Sequence, residues 1–169
     1  MRSVTITLLQ MCTPEALRPS PCPDPGFTIH ERPTPDGTFN RSLYLAVGAP
    51  WHWTDKADWS AEQWHAYASS DSLRTFEASL HRSLAGYFEL RPDASGGIEI
   101  AYFGLLPEFT GRGLGAFMLS AALTTAWQSS PQRVWVSTCS LDHPASLRNY
   151  LARGMSVYHT ETKPLPDSP

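Results

Sequence analysis

The sequence has few cysteines, no excess of basic residues and no long apolar run, and each absence removes a class of protein. Its three cysteines, Cys12, Cys22 and Cys139, are odd in number and lack metal-ligand spacing. That argues against a disulfide framework and against a structural zinc site, and fits reduced thiols in a cytoplasm. Thirteen Lys and Arg stand against sixteen Asp and Glu, a formal charge of -3, so the chain carries no electrostatic footprint for nucleic acid. No run approaches the length of a membrane span. The opening "MRSVTITLLQMC" is interrupted by Thr5, Thr7 and Gln10 with no small-residue cleavage site after it, and reads as a first strand rather than a signal peptide. His30, His52, His65, His81 and His159 show no ligand spacing, so no metal is implied. What is there is an ordinary globular composition over 169 residues, enough for one domain with a proper core.

The hydrophobic pattern gives the order of elements. Val4 to Gln10 alternates with the strand period, and the proline-crowded stretch at about 13–26 can form neither helix nor central strand. "GFTIHERP" adds a short strand, and "SLYLAVGAPWHWTDKADW" holds helix with a break at Gly48 and Pro50. Ser60 with Gln63 three residues on forms a capping box, which starts a helix from about Ala61 to Ala68. "RTFEASLHRS" and "LAGYFELRP" form an antiparallel hairpin, and "GGIEIAYFGLLP" is a third strand. Gly113 to Ser129 carries a helical apolar stripe, followed by a β-branched strand at "RVWVSTCSL", a short helix at "PASLRNYLARG" and a last strand at "MSVYHTE". The tail from about residue 162 is expected to fray. With no repeat and no linker, the order predicts a single α/β (α+β) domain over 1–169, a mixed, mostly antiparallel sheet flanked by helices.

The most informative stretch is "PEFTGRGLGAFML", Pro107 to Leu119. A strand, a glycine-rich turn and then a helix make an anion site, because free N–H groups point outward at the positive end of a helix dipole. A nucleotide P-loop would need Gly-Lys-Ser/Thr, which is missing. The dinucleotide fingerprint fits Gly111, Gly113 and Ala116, but the strand before it closes an antiparallel run and the acid expected about 20 residues on is absent.

A third pattern covers more of the chain. "LLPEFTGRGLGAFML" resembles the acetyl-CoA pyrophosphate loop of the GNAT superfamily of N-acetyltransferases, Gln/Arg-x-x-Gly-x-Gly/Ala, on Thr110, Gly113 and Gly115. Thr110 departs from the usual Gln or Arg, while Arg112 keeps a positive charge in the loop. "DHPASLRNYLARGM" is similar to the family's later motif, with Tyr150 and Gly154 matching, Met155 in place of a phenylalanine and His143 where an asparagine often lies. The resemblance runs from about Ser83 to Met155. It implies a cradle for acetyl-CoA from Thr110, Gly111, Arg112, Gly113, Leu114, Gly115, Ala116 and His143, with the backbone of Leu105 and Leu106 pairing the pantetheine arm like an added strand.

Acetyl transfer to an amine requires a base, since an alkylammonium with pKa near 10.4 has only about one neutral molecule in two thousand at pH 7. The resemblance implies a glutamate on the strand before the glycine loop. Glu99 is there, expected by alternation to point to the side of Ala101, Phe103 and Leu105; its bland reading is a solvated carboxylate near the strand's start. Glu89 on the neighbouring strand is the second candidate, or else an edge or ion-paired carboxylate. Tyr150 follows Leu147 by three residues on the inward face of its helix; periodicity makes it a core tyrosine, and the resemblance makes it the acid that protonates the leaving thiolate. His143 with Asp142 helps to start that helix.

Four of the six tryptophans, Trp51, Trp53, Trp59 and Trp64, crowd together with Asp55 and Asp58. They pack a helical segment onto the sheet, or grip a cationic amine by cation–π attraction. The expected activity is an acetyl-CoA-dependent N-acetyltransferase acting on a primary amine of a small molecule or peptide, as a cytoplasmic monomer or homodimer with no membrane or nucleic-acid partner. A non-catalytic acyl-CoA-binding module of the same fold is the alternative.

Overall fold

The computed structural model describes residues 2–70 and 72–165. Seven strands form one sheet: β1 Ser3–Met11, β2 Phe27–Glu31, β3 Arg74–Leu80, β4 Ser83–Pro92, β5 Ile98–Leu105, β6 Val134–Cys139 and β7 Ser156–Pro164. The helices are α1 Gly37–Gly48, α2 Ala61–Ala68, α3 Leu114–Trp127 and α4 Ser146–Ala152. In space the strand order is β2-β3-β4-β5-β6-β1-β7, all neighbours antiparallel except β5 and β6.

Each element has a local cause. The β3–β4 hairpin turns on His81 and Arg82, both at positive φ (49° and 71°), the twist that a two-residue hairpin demands even of residues other than glycine. At α2, the Ser60 hydroxyl accepts from the Gln63 amide and the Gln63 side chain accepts from the Ser60 amide, the expected capping box. Ser60→Ala is expected to cost about 1 kcal/mol and lower Tm by about 2–4 °C, read from thermal melts. Helix α1 starts earlier than its apolar pattern suggests, because the Asp36 carboxylate accepts from the Phe39 amide and caps it.

The sheet is filled from both sides. On one face α3 buries Leu114, Met118, Leu119, Ala122, Leu123 and Ala126 against Phe88, Ile100, Leu9 and Val136. On the other, Leu43 and Val47 of α1 meet Tyr87. Two expectations are corrected here. Strand β7 continues through Thr162 and Lys163 to Pro164, held by pairing of Val4 with Lys163 and Ser3 with Pro164, so the fraying expected from 162 does not hold for those residues; 166–169 lie outside the described residues. On α4, Tyr150 is buried, but Leu147 and Leu151 are exposed on the opposite side, because Asn149 and Tyr150 take the inward face.

Candidate active site

Strands β5 and β6 touch at one end only. Ile98 pairs with Val134 and Glu99 with Trp135; beyond them β5 runs on to Leu105 without β6 beside it. The gap opens into a cleft of about 500 Å³ bounded by Ile100 to Leu105, by Val136 and Ser137, by the glycine turn, and by α4 and the segment leading into it.

The turn follows from its glycines. Gly111 and Gly113 hold φ of +75° and +77°, a left-handed conformation that side chains resist. Gly113 stands at the N-cap of α3 and no side chain caps it, so the amides of Leu114, Gly115 and Ala116 are presented at the positive end of the helix dipole. Thr110, Gly111, Gly113, Gly115 and Ala116 all line the cleft. Leu114 contributes only backbone, since its side chain is buried in the core. The Thr110 hydroxyl turns back to donate to the Pro107 carbonyl at 2.8 Å.

Two of the residues expected in the cradle are placed differently. The Leu106 amide donates to Ala85 O at 2.7 Å and its carbonyl accepts from the Phe109 amide at 2.9 Å, so the amide is not free to pair a ligand. By antiparallel alternation the Leu105 amide then points away from β4, toward the gap, and Leu105 lines the cleft. Arg112 is not among the lining residues; its guanidinium lies 5.6 Å from the Phe109 ring centroid.

Across the gap, α4 brings Tyr150. Its ring is buried with its centroid 6.3 Å from that of Phe103, and its hydroxyl has no hydrogen-bond partner among the described residues. Burial, with the Asp142 charge adding to it, pushes this phenol well above the ordinary tyrosine range. Asp142 is fixed by the Thr138 hydroxyl at 2.5 Å and the Cys139 amide at 3.0 Å. His143 lines the cleft, its Nδ1 accepting from the Ala145 amide at 3.0 Å and its ring 4.9 Å from that of Trp51.

The two glutamates lie on the other face of the sheet. A bulge in the β4–β5 ladder pairs Leu90 with Ile100 but Glu89 with Tyr102, and leaves Ala101 unopposed. The inserted residue flips the alternation. Glu99 therefore shares a face with Tyr102, Glu89 and Arg91, contrary to the expectation that it points with Phe103 and Leu105. Arg91 donates to Glu99 Oε2 through Nη2 at 2.6 Å and Nε at 3.2 Å. Glu89 is enclosed, accepting from Asn40 Nδ2 at 2.6 Å and the Tyr67 hydroxyl at 2.5 Å. Neither carboxylate lines the cleft.

Burial raises the Glu89 pKa above the usual carboxylate value, with the Tyr67 and Asn40 hydrogen bonds opposing it. A native-state value above the unfolded one means that this group favours folding below the unfolded pKa and that the contribution is lost as pH rises through the native value. Glu89→Gln, which keeps the shape and removes the titration, is expected to flatten that part of the Tm-versus-pH curve. An unchanged slope would mean that Glu89 ionises in the fold as it does in water.

Several site residues carry no sequence signal of their own. Asn149 donates from Nδ2 to Gly115 O at 3.1 Å and ties α4 to the glycine turn. Arg153 lines the cleft, and its Nε is enclosed without a partner among the described residues. A buried guanidinium donor that the described residues do not satisfy, facing a cleft with open helix amides, fits an anionic ligand.

Comparison with known proteins agrees with this geometry. Residues 39–155 match the model of the acetyltransferase (GNAT) family. No curated protein matches the chain. Among solved structures, a GCN5-related N-acetyltransferase from Sphaerobacter thermophilus superposes with TM-score 0.70 at 19% identity over 93% of this chain and 49% of that one. Another from Kribbella flavida gives 0.63 at 17% identity over 95% and 58%. An aminoglycoside acetyltransferase from an uncultured soil metagenomic sample gives 0.63 at 14% identity over 77% and 88%. The chain thus spans about half the length of the Sphaerobacter protein.

Proposed function

Because the chain belongs to the GNAT family of acetyltransferases, we propose that it moves an acetyl group from acetyl-CoA to a primary amine of a small molecule or peptide by direct attack. The observation that carries this reading is the gap between β5 and β6, open from Ile100 to Leu105, with uncapped helix amides at one side and the Tyr150 hydroxyl at another. The α3 amides and Arg153 hold the pyrophosphate, and the Leu105 backbone takes the pantetheine arm as a strand would.

The neutral amine attacks the thioester carbonyl carbon, the C–N bond forms and the C–S bond breaks. Tyr150, kept protonated by its burial, gives its proton to the departing thiolate. For the amine's proton we propose water in the cleft as the carrier, since Glu89 has both oxygens engaged by Asn40 and Tyr67, Glu99 is held by Arg91, and neither carboxylate lines the cleft. A small-molecule acceptor is supported by the aminoglycoside acetyltransferase among the structural neighbours. The three free cysteines support a reducing compartment such as the cytoplasm.

The test is a calorimetric titration with acetyl-CoA, with free CoA and NAD in parallel, followed by an amine screen. Saturable acetyl-CoA binding without a response to NAD is the expected result. No acetyl-CoA binding would remove the reading.

A further inference from the structure

Behind the cleft, on the α1–α2 side of the sheet, lies a group of side chains that the mechanism above does not use. The Lys56 ammonium sits 4.9 Å from the Trp59 ring centroid, 5.0 Å from that of Tyr102 and 5.4 Å from that of Tyr67. It donates to Asp55 Oδ2 at 2.9 Å and to the Tyr102 hydroxyl at 2.8 Å. Only 13% of this side chain is exposed, against 59% for Asp55. A lysine on a connecting segment ordinarily keeps its head in water. To neutralise Asp55 it could do so from outside, where most of that carboxylate lies; its place among three rings needs another cause.

The walls of this box are held independently of the lysine side chain. Asp55 accepts from the Tyr44 hydroxyl through Oδ1 at 2.8 Å and from the Tyr102 hydroxyl through Oδ2 at 2.5 Å. Trp59 packs edge-on against Trp64 and Tyr67, with centroids 5.3 and 5.7 Å away. The buried Glu89 carboxyl accepts from the Tyr67 hydroxyl and fixes that ring in place. In the same cluster the Tyr87 hydroxyl and the Trp64 indole N–H are enclosed without a partner among the described residues. Aromatic faces with a fixed carboxylate are how proteins hold ligand cations, and Tyr102 joins the box to the cleft, which it also lines.

We propose that this box is the subsite for an alkylammonium group of the acceptor, and that Lys56 fills it as an internal stand-in that the acceptor displaces. The word acceptor rests on the acetyltransferase reading; the cation site rests on its own geometry. Lys56 can leave by rotation about its own side-chain bonds while Asp55, Trp59, Tyr67 and Tyr102 stay in place. A tethered occupant competes at high effective concentration, so an external amine binds more weakly in its presence than in its absence.

The chain has only two lysines, Lys56 and the more exposed Lys163. In protein labelled with 13C-lysine, the Lys56 ε-methylene resonance is expected to lie upfield, under the three rings, with Lys163 near the position of a free lysine. Titration with n-butylammonium chloride, without acetyl-CoA, should move the Lys56 signal toward that of Lys163, and n-butanol at the same concentration should not. Lys56→Ala, checked for folding by its thermal melt, should bind n-butylammonium about tenfold more tightly than the wild type or better. A Lys56 signal that stays fixed at the highest amine concentration overturns the proposal, and so does an equal response to n-butanol, which would mark an apolar hole. Displacement of Lys56 by the amine in protein that binds no acetyl-CoA would keep the cation site and sink its assignment to an acceptor.

Discussion

Tyr150→Phe is expected to lower kcat by about 100-fold or more, equivalent to about 2.7 kcal/mol of transition-state stabilisation. The substitution removes one oxygen and keeps the ring that packs near Phe103, so the fold and acetyl-CoA affinity should stay as they are. The hydroxyl has no partner to lose among the described residues, so its removal leaves no stranded donor or acceptor there. The loss should therefore appear equally in kcat and kcat/KM, the signature of an interaction made only in the transition state. Steady-state kinetics with the best amine from the screen would check it. A rate equal to wild type would take Tyr150 out of the mechanism and make it a core tyrosine.

The largest expected effect on stability belongs to Gly154. This residue follows α4 at φ +101°, and a Cβ there would lie 2.0 Å from the Ala16 carbonyl oxygen. The obstructing atom is backbone, and it cannot easily retreat, because the Arg18 amide donates to Arg153 O at 2.9 Å and pins the proline-rich segment to the same turn. Backbone strain and overpacking together put Gly154→Ala at about 3 kcal/mol or more, a drop in Tm on the order of 6–12 °C. Circular dichroism melts would measure it. An unchanged Tm would mean that residues 14–18 move aside at no cost. Since Tyr150 lies one turn earlier, acetyl transfer should fall as well.

Much of this was legible from the residues, and the failures have identifiable causes. The capping box at Ser60, the hairpin and the glycine turn each depend on chemistry within a few residues, and sequence expresses such chemistry directly. The start of α1 was hidden because the apolar pattern begins only within "SLYLAV", and the Asp36 N-cap lies upstream of it. The direction of Glu99 was missed because a bulge depends on how two strands settle against each other, and strict alternation is the only rule a single strand offers. Leu106 was lost for a similar reason, its amide being committed to Ala85 on another strand. Of the tryptophans, Trp64 is core, as the bland reading had it. Trp59 instead borders the Lys56 ammonium, brought there by a turn in which the Trp59 amide donates to Lys56 O at 3.2 Å, a conformation that the residue pattern does not announce.

The position of β1 has a consequence for how the chain assembles. This strand is far in sequence from both its neighbours: Ile6 lies opposite Cys139 in β6 and opposite Glu161 in β7. During synthesis its apolar, β-prone residues must wait, with both edges unpaired, until the elements from β2 to α4 have been made and β6 and β7 with them. Such distant pairing is slow to form, and an open edge held that long is a template for association with other chains. We expect refolding yield to fall with protein concentration, and added peptide Ser3–Met11 to compete for the β6–β7 slot more effectively than a peptide copied from β3, whose hairpin partner is adjacent in sequence.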